Sequence, residues 1–405
     1  MKTGPPHVTM LATPGMDHLI PLAELAKRLA SRHGATATLI TFASTASATQ
    51  RALLASLPPS VASRPLPPVD LSDLPRDADI ETLMSEECAR SLPALTRMLS
   101  ELRETARLVA FVADQFGMDA FDAARDSGVR TRCLFVPMNL HVLSLVLRLP
   151  DLAASVSGEF RDLAEPDRSN PSYMVMVHLA KRYREADAIL VNSFHAVEPE
   201  VAQVLRQPEP GRPPVYPIGP LIRQSGAIPP SSPPRAACQE WLDRQPARSV
   251  IFVSFGSAGA LPKEQMHQLA LGLELSGQRF LWVVRSPSDE GTLCDNYYNA
   301  AESNKDPFAY LPEGFLERTK DVGLLVQSWA PQTQVLAHMA TGGFLTHCGW
   351  NSTLESLVHG VPMLAWPLFA EQRLNAVMLA WPLFPELSND ATTCSAIDAT
   401  SVPYK

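Results

Sequence analysis

The sequence predicts an α/β chain of two Rossmann-like domains, each built on a parallel sheet and facing the other across a cleft, and three observations carry that expectation. Short apolar strands alternate with helical stretches in the first half, a Pro- and Ser-rich segment interrupts the pattern, and the alternation then restarts. With 405 residues, 46% of them hydrophobic, the chain is long enough to bury two cores.

Residues 7–12 read as a strand and 13–17 as a turn. Leu19, Ile20, Leu22, Leu25, Ala26 and Leu29 then fall on one helical face before a second strand near 38–42, which makes a βαβ unit. Strand-and-turn signals recur at 108–117, 131–138 and 188–193. The segment RQSGAIPPSSPPRAA, residues 223–237, reads as a linker between domains at 1–222 and 238–384. Trp241 and Leu242 open the second domain. A strand at 250–255, a turn at 256–261, a helix at 262–275 and a strand at 280–285 follow, and 286–307 is a polar loop.

A net charge of −8 without a basic patch argues against nucleic acid as a partner. The six cysteines, Cys88, Cys133, Cys238, Cys294, Cys348 and Cys394, form no CxxC pair, which fits reduced thiols, and a cytoplasmic location is expected. Pro5 and Pro6 stand where a signal peptide needs an unbroken apolar run. The best candidate span, 133–147, is interrupted by Pro137, Asn139 and His141.

The most informative stretch is residues 329–372, WAPQTQVLAHMATGGFLTHCGWNSTLESLVHGVPMLAWPLFAEQ. Within it, 343–347 reads as a strand that feeds Cys348 and Gly349 and then a helix opened by Trp350, Asn351 and Ser352. Backbone N–H groups and the positive end of the dipole make a helix start an anion site, and Asn351, Ser352 and His347 add donors suited to a diphosphate. Trp329 offers a flat face for a base, with Ala330 contributing its backbone and Gln332 its amide. Glu355, one turn into the helix, can accept from ribose hydroxyls, while Glu371 and Gln372 can hold sugar hydroxyls. Ser352-Thr353-Leu354-Glu355 also has the form of a capping box. Thr13 and Ser257, each on a turn before a helix, are further candidate donors to the diphosphate.

This segment resembles the donor-binding signature of plant family 1 UDP-glycosyltransferases, in the hydroquinone-glucosyltransferase (arbutin-synthase-like) group. Pro14-Gly15-Met16-Asp17-His18, Val191-Asn192-Ser193-Phe194 and Val253-Ser254-Phe255-Gly256-Ser257 resemble other family segments in family order, and the resemblance spans about residues 5–378. It implies the two-domain fold termed GT-B, with the acceptor mainly on domain one and the UDP-sugar mainly on domain two. It further implies a His18–Asp114 dyad in which His18 takes the acceptor proton and Asp114 orients the imidazole. Inverting transfer of glucose from UDP-glucose to a small phenol is the expected activity. Phe116, Met138 and Leu140 are candidate acceptor-pocket residues, with plain core as the other reading.

No metal is expected. Asp77-Ala78-Asp79 has the form of a metal-binding pair, but it lies in a Pro- and Asp-rich loop at 65–79 that no apolar strand precedes. No P-loop, GxSxG or HExxH motif occurs, and a nicotinamide enzyme would need a GxGxxG after the first strand. A monomer is favoured.

Two departures from the family stand out. Asp17 occupies the place where the family usually has Gly, adding a Cβ and a charge beside His18. The heptapeptide at 363–369, MLAWPLF, recurs at 378–384, and the tail at 385–405 is polar and Ser/Thr-rich, without the closing helices of the family. The C-terminal domain is therefore expected to be incomplete and the tail disordered, and the alternative reading is a truncated, non-catalytic relative that binds UDP-sugar weakly or folds poorly.

Overall fold

The computed structural model describes residues 4–75, 78–149, 171–223, 233–257, 259–287 and 306–380. The chain divides into two units, Met1–Arg223 and Gln224–Lys405.

In the first unit, strands β1 (Pro6–Leu11), β2 (Thr36–Phe42), β3 (Val61–Leu66), β4 (Arg107–Asp114), β5 (Thr131–Val136), β6 (Ala188–Val191) and β7 (Val215–Pro217) form one parallel sheet. The strand order is β3-β2-β1-β4-β5-β6-β7, so the winding reverses between β1 and β4. The helix Met16–His33 closes the first βαβ unit. Its Leu19, Leu22, Leu25 and Ala26 pack on Val8, Met10, Leu39 and Phe135, and Gly34 in the left-handed region ends it, donating its N–H to the carbonyl of Ala30. This helix begins at Met16, so Asp17 and His18 belong to its first turn and not to the preceding loop.

Strand β3 has no counterpart in the sequence expectation. It is an edge strand with Pro65 inside it and an exposed middle, and an edge is where a sheet tolerates a residue without an N–H. The pair at 77–79 therefore does follow a strand. Asp77 lies outside the described residues, and Asp79 stands at the N-cap of the helix Ile80–Thr105.

The second unit carries β8 (Val250–Ser254), β9 (Arg279–Val284), β10 (Gly323–Gln327), β11 (Thr341–Thr346) and β12 (Met363–Ala365), all parallel, in the order β10-β9-β8-β11-β12. Alternate residues of one strand face opposite cores: Val250 and Phe252 pack with Trp241, Leu281 and Phe344, while Val253 packs with Met266, Phe280 and Trp282. The expected linker is helical from Pro233, because the helix Pro233–Leu242 can place prolines in its first turn and bury Cys238, Trp241 and Leu242 against the sheet. Residues 224–232 of that linker, residues 288–305 of the polar loop and the tail at 385–405 lie outside the described residues. Helix Gln372–Ala380 contains the first residues of the repeated heptapeptide, with Ala376 buried and Val377 exposed. Among the described residues no helix is long and apolar enough to cross a membrane, and Cys88, Cys133, Cys238 and Cys348 are free thiols.

A buried polar clamp shapes the end of β5. The Glu198 carboxylate, 2% exposed, accepts from the backbone N–H groups of Leu140 and His141 at 2.9 Å each, from the Ser193 hydroxyl, and pairs with His141 Nδ1 at 2.9 Å. It thereby satisfies the first turn of the helix Leu140–Val146, whose Asn139 cap accepts from Val142 N–H at 2.7 Å. Replacing Glu198 by Ala leaves these donors buried without an acceptor. It should lower the unfolding free energy by roughly 2–4 kcal/mol, read as a drop in urea midpoint, with Glu198→Gln losing less. An unchanged midpoint in Glu198→Ala would remove the clamp from the stability of this unit.

Candidate active site

The first cluster is assembled where the winding of the first sheet reverses. Parallel pairing sets Leu11 of β1 beside Ala113 of β4, so the turn after β1 and the last residue of β4 emerge together. The Asp114 carboxylate, fully buried, lies 2.7 Å from His18 Nδ1 and accepts from the Thr13 hydroxyl at 2.7 Å and from Phe116 N–H at 3.2 Å. A carboxylate only accepts, so Nδ1 carries the proton and Nε2 is the accepting atom of the neutral ring. The Phe116 ring stands 5.6 Å from the imidazole, tilted by 58°. Asp17, with its side chain 48% exposed, brings Oδ2 to 3.7 Å from His18 Nε2. Tyr183 is fully buried, and its hydroxyl has no hydrogen-bond partner among the described residues. Burial first, and the Asp114 carboxylate second, push its pKa up, so the phenol stays neutral.

Two sequence assignments on this unit are corrected. Thr13 was a candidate for the diphosphate, yet its hydroxyl proton is committed to Asp114, which makes it part of the His18 support. Leu140 was a candidate for the acceptor pocket, but its side chain is fully buried on the inner face of its helix, where it offers a ligand no surface. Phe116 and Met138 remain half-buried beyond the ends of β4 and β5.

The second cluster lies at the corresponding reversal of the other sheet, between β8 and β11. Ser254 pairs with Thr346, and the turns that follow carry Gly256 and His347. These touch: a Cβ on Gly256 would stand 2.6 Å from His347 Cε1 and Nε2, and one on Gly349 would stand 2.4 Å from Nε2. Gly256 also sits at φ +78, a region that disfavours any side chain. Burial lowers the His347 pKa from 6.5 to about 4, so the ring is neutral near pH 7.

The chain then turns through Cys348 at φ 63 into the helix Trp350–His359, whose N-cap is Gly349. Asn375, fully buried, donates to the Cys348 carbonyl at 2.8 Å and pins that turn. No capping box forms, because the helix starts two residues before Ser352. Instead Gln332 Nε2 donates to Ser352 Oγ at 2.9 Å and to Glu355 Oε2 at 2.7 Å, so the amide expected to meet a base braces the two residues expected to meet phosphate and ribose. Gln372 is likewise engaged within the fold. Its carbonyl oxygen accepts from the N–H groups of Leu368 at 2.8 Å and Phe369 at 3.0 Å, which leaves its amide nitrogen as the atom suited to a sugar. Trp350, the first residue of this helix, is 3% exposed.

Of the other expected residues, Trp329 is half-buried between β10 and the helix Gln332–Ala337, following Ser328 at φ 61. Ala330 is buried, with its carbonyl accepting from Gln332 N–H at 2.8 Å. Asn351 and Glu371 are half-buried, and Ser257 is exposed on the turn after β8. Sequence reasoning missed Asn375 and Glu198, which act through partners distant in the chain, and the buried Tyr183. Among the described residues there is no group of three side chains arranged to hold a metal.

The folded His347 binds its proton only near pH 4, whereas an unfolded histidine binds it near 6.5. The unfolded chain therefore holds more protons between these values, and stability is full above about pH 6.5 and falls as the pH drops toward 4. The melting temperature of the second unit should fall through this window, and His347→Gln should flatten the fall. Equal slopes in both proteins would rule out a buried neutral His347.

The model of the UDP-glucoronosyl and UDP-glucosyl transferase family matches residues 214–382. The chain is 50% identical over 394 residues to UDP-glycosyltransferase 72B3 of Arabidopsis thaliana, covering 92% of this chain and 81% of that protein. It is 49% identical over 394 residues to hydroquinone glucosyltransferase of Rauvolfia serpentina, covering 92% and 82%. Among solved structures it is similar to a UDP-glucosyltransferase from Polygonum tinctorium capable of glucosylating indoxyl, in complex with 3,4-dichloroaniline. The TM-score is 0.81 at 45% identity, covering 93% of this chain and 83% of that one. A second is Phytolacca americana UGT2 complexed with UDP-2fluoro-glucose and pterostilbene, with a TM-score of 0.80 at 42% identity, covering 93% and 84%.

Proposed function

The chain belongs to the plant family 1 UDP-glycosyltransferases, and from that premise we propose that it moves glucose from UDP-glucose to a hydroxyl of a small phenol, with inversion at the anomeric carbon. The observation that carries the reading is the 2.7 Å contact between His18 Nδ1 and the buried Asp114 carboxylate. It fixes the tautomer that exposes Nε2 as a base, which takes the phenol proton as the oxygen attacks the sugar. Asp114 is fully buried behind the ring, so it orients the imidazole and offsets the imidazolium charge without touching the sugar. Direct attack by the phenol oxygen, with His18 as the base, inverts the configuration at the anomeric carbon.

The donor reading assigns the uracil to the Trp329 face and the diphosphate to the start of the helix Trp350–His359, near His347, Asn351 and Ser352. The ribose falls to Glu355 and the glucose hydroxyls to Glu371 and the Gln372 amide. Ser257 is a further donor to the diphosphate. A phenolic acceptor is supported by the named substrate of the Rauvolfia serpentina relative, by the pterostilbene in the Phytolacca americana structure, and by the half-buried apolar groups Phe116 and Met138. The reaction as drawn needs no metal: charge on the leaving diphosphate meets backbone N–H groups and neutral donors. A soluble, cytoplasmic, monomeric enzyme is the corresponding cellular reading.

A pair of variants tests this assignment. His18→Ala should abolish glucose transfer to hydroquinone while leaving UDP affinity within about twofold. Trp329→Ala should weaken UDP and UDP-glucose together by roughly 1–3 kcal/mol, the value of a base stacked on an aromatic ring. Retained turnover in the first would remove His18 from the chemistry, and unchanged UDP affinity in the second would remove Trp329 from the donor site. UDP binding without any turnover in the parent chain would favour a non-catalytic relative.

A further inference from the structure

We propose that Asp17 is a specificity-determining residue of the acceptor site, selecting phenols that carry a hydrogen-bond donor on the ring carbon next to the reacting hydroxyl and rejecting those that carry a carboxylate there. The inference rests on the proposed function, in which His18 Nε2 receives the acceptor proton.

The geometry is local to one turn of helix. Asp17 and His18 are consecutive residues of the first turn of Met16–His33, and Asp114 holds the imidazole by its other nitrogen. Nε2 is therefore the ring nitrogen turned away from Asp114, and Asp17 Oδ2 stands 3.7 Å from that atom, too far for a good hydrogen bond and close enough to share its surroundings. His18 is 4% exposed, whereas the Asp17 side chain is 48% exposed, so the carboxylate is the more accessible partner of the pair.

An acceptor hydroxyl that approaches Nε2 at about 2.8 Å thus arrives beside a carboxylate oxygen. A second hydroxyl or an amino group on the adjacent ring carbon falls within reach of Oδ2 and can donate to it while the first hydroxyl faces His18. The reacting oxygen is then positioned by two contacts instead of one. A methoxy group in the same place has no proton to donate. A carboxylate there brings two negative charges within a few ångströms, and at a partly exposed position that repulsion corresponds to roughly a tenfold loss or more. Nothing in this arrangement adds a step to the reaction: the proton still passes from the attacking oxygen to Nε2, and the glucosyl bond forms as the bond to UDP breaks.

The test compares four acceptors with the full chain and saturating UDP-glucose: catechol against its monomethyl ether guaiacol, and salicylamide against salicylate. Asp17→Asn keeps size and an accepting oxygen but loses the charge, and Asp17→Leu keeps approximate size but loses both. The parent protein should show kcat/KM at least about tenfold higher for catechol than guaiacol, the scale of one hydrogen bond to a charged group, and for salicylamide over salicylate. Asp17→Asn should keep only part of the first preference, about three- to fivefold, and lose the second, and Asp17→Leu should lose both to within about twofold. Ratios that stay at the parent values in Asp17→Leu would overturn the proposal, as would a parent protein that takes salicylate as readily as salicylamide. If no phenol is glucosylated, the proposed function fails, and dissociation constants of the same compounds, measured by calorimetry with UDP present, still decide Asp17 by the same ratios.

Discussion

Both candidate sites depend on one constraint of parallel sheets. Where the strand order reverses, the two neighbouring strands send their following segments to opposite faces, and the carboxyl ends between them are left open. In the first unit this happens between β1 and β4, and in the second between β8 and β11. The consequence has the same form in each. A turn residue after one strand meets a functional group at the end of its neighbour: Thr13 meets Asp114, and Gly256 meets His347. The chemistry differs because one junction holds a charged dyad and the other a neutral, buried imidazole beside a helix start.

The second junction is held in conformations that its residues do not favour on their own. Ser328, Cys348 and Ala370 all have positive φ, and all stand within or directly beside residues 329–372. Each such residue costs on the order of 1–2 kcal/mol; Ser328 and Cys348 are fixed by hydrogen bonds from outside their own turns, and Ala370 by hydrogen bonds inside its loop. Ser328 N–H donates to Val284 O, Asn375 donates to Cys348 O, and the Gln372 carbonyl oxygen collects the N–H groups of Leu368 and Phe369 just before Ala370. The loops that present Trp329, Asn351 and Glu371 are therefore set by the fold before any ligand arrives, which lowers the ordering cost of binding.

Much of this was legible in the sequence, for identifiable reasons. Strands β4, β5 and β8 contain continuous apolar runs because both of their faces are covered, and the turn residues after them stand out as polar or Gly. His18 and Asp114 were named through the family resemblance, since a helix start and a strand end alone fit turn and capping roles equally well. Strand β3 was not legible, since an edge strand with Pro65 and exposed side chains carries no apolar signal. The helix Pro233–Leu242 was hidden by prolines that a helix tolerates only in its first turn. Within the site, the partners that polar side chains take inside the protein were not legible. Gln332 bonds Ser352 and Glu355, and Gln372 bonds its own loop, because distances across a fold are absent from local spacing. Trp350 and Leu140 are buried for the same kind of reason: a helix register decides which side of a motif faces inward.

The account stands on His18 and Asp114 acting as one unit, and a double-mutant cycle on single-turnover glucose transfer to hydroquinone measures that directly. If Asp114 works only through His18, Asp114→Ala alone should slow transfer by roughly 10²–10⁴-fold, and adding it to His18→Ala should cost nothing further. Losses that multiply in the double variant would show two independent contributions and contradict the dyad.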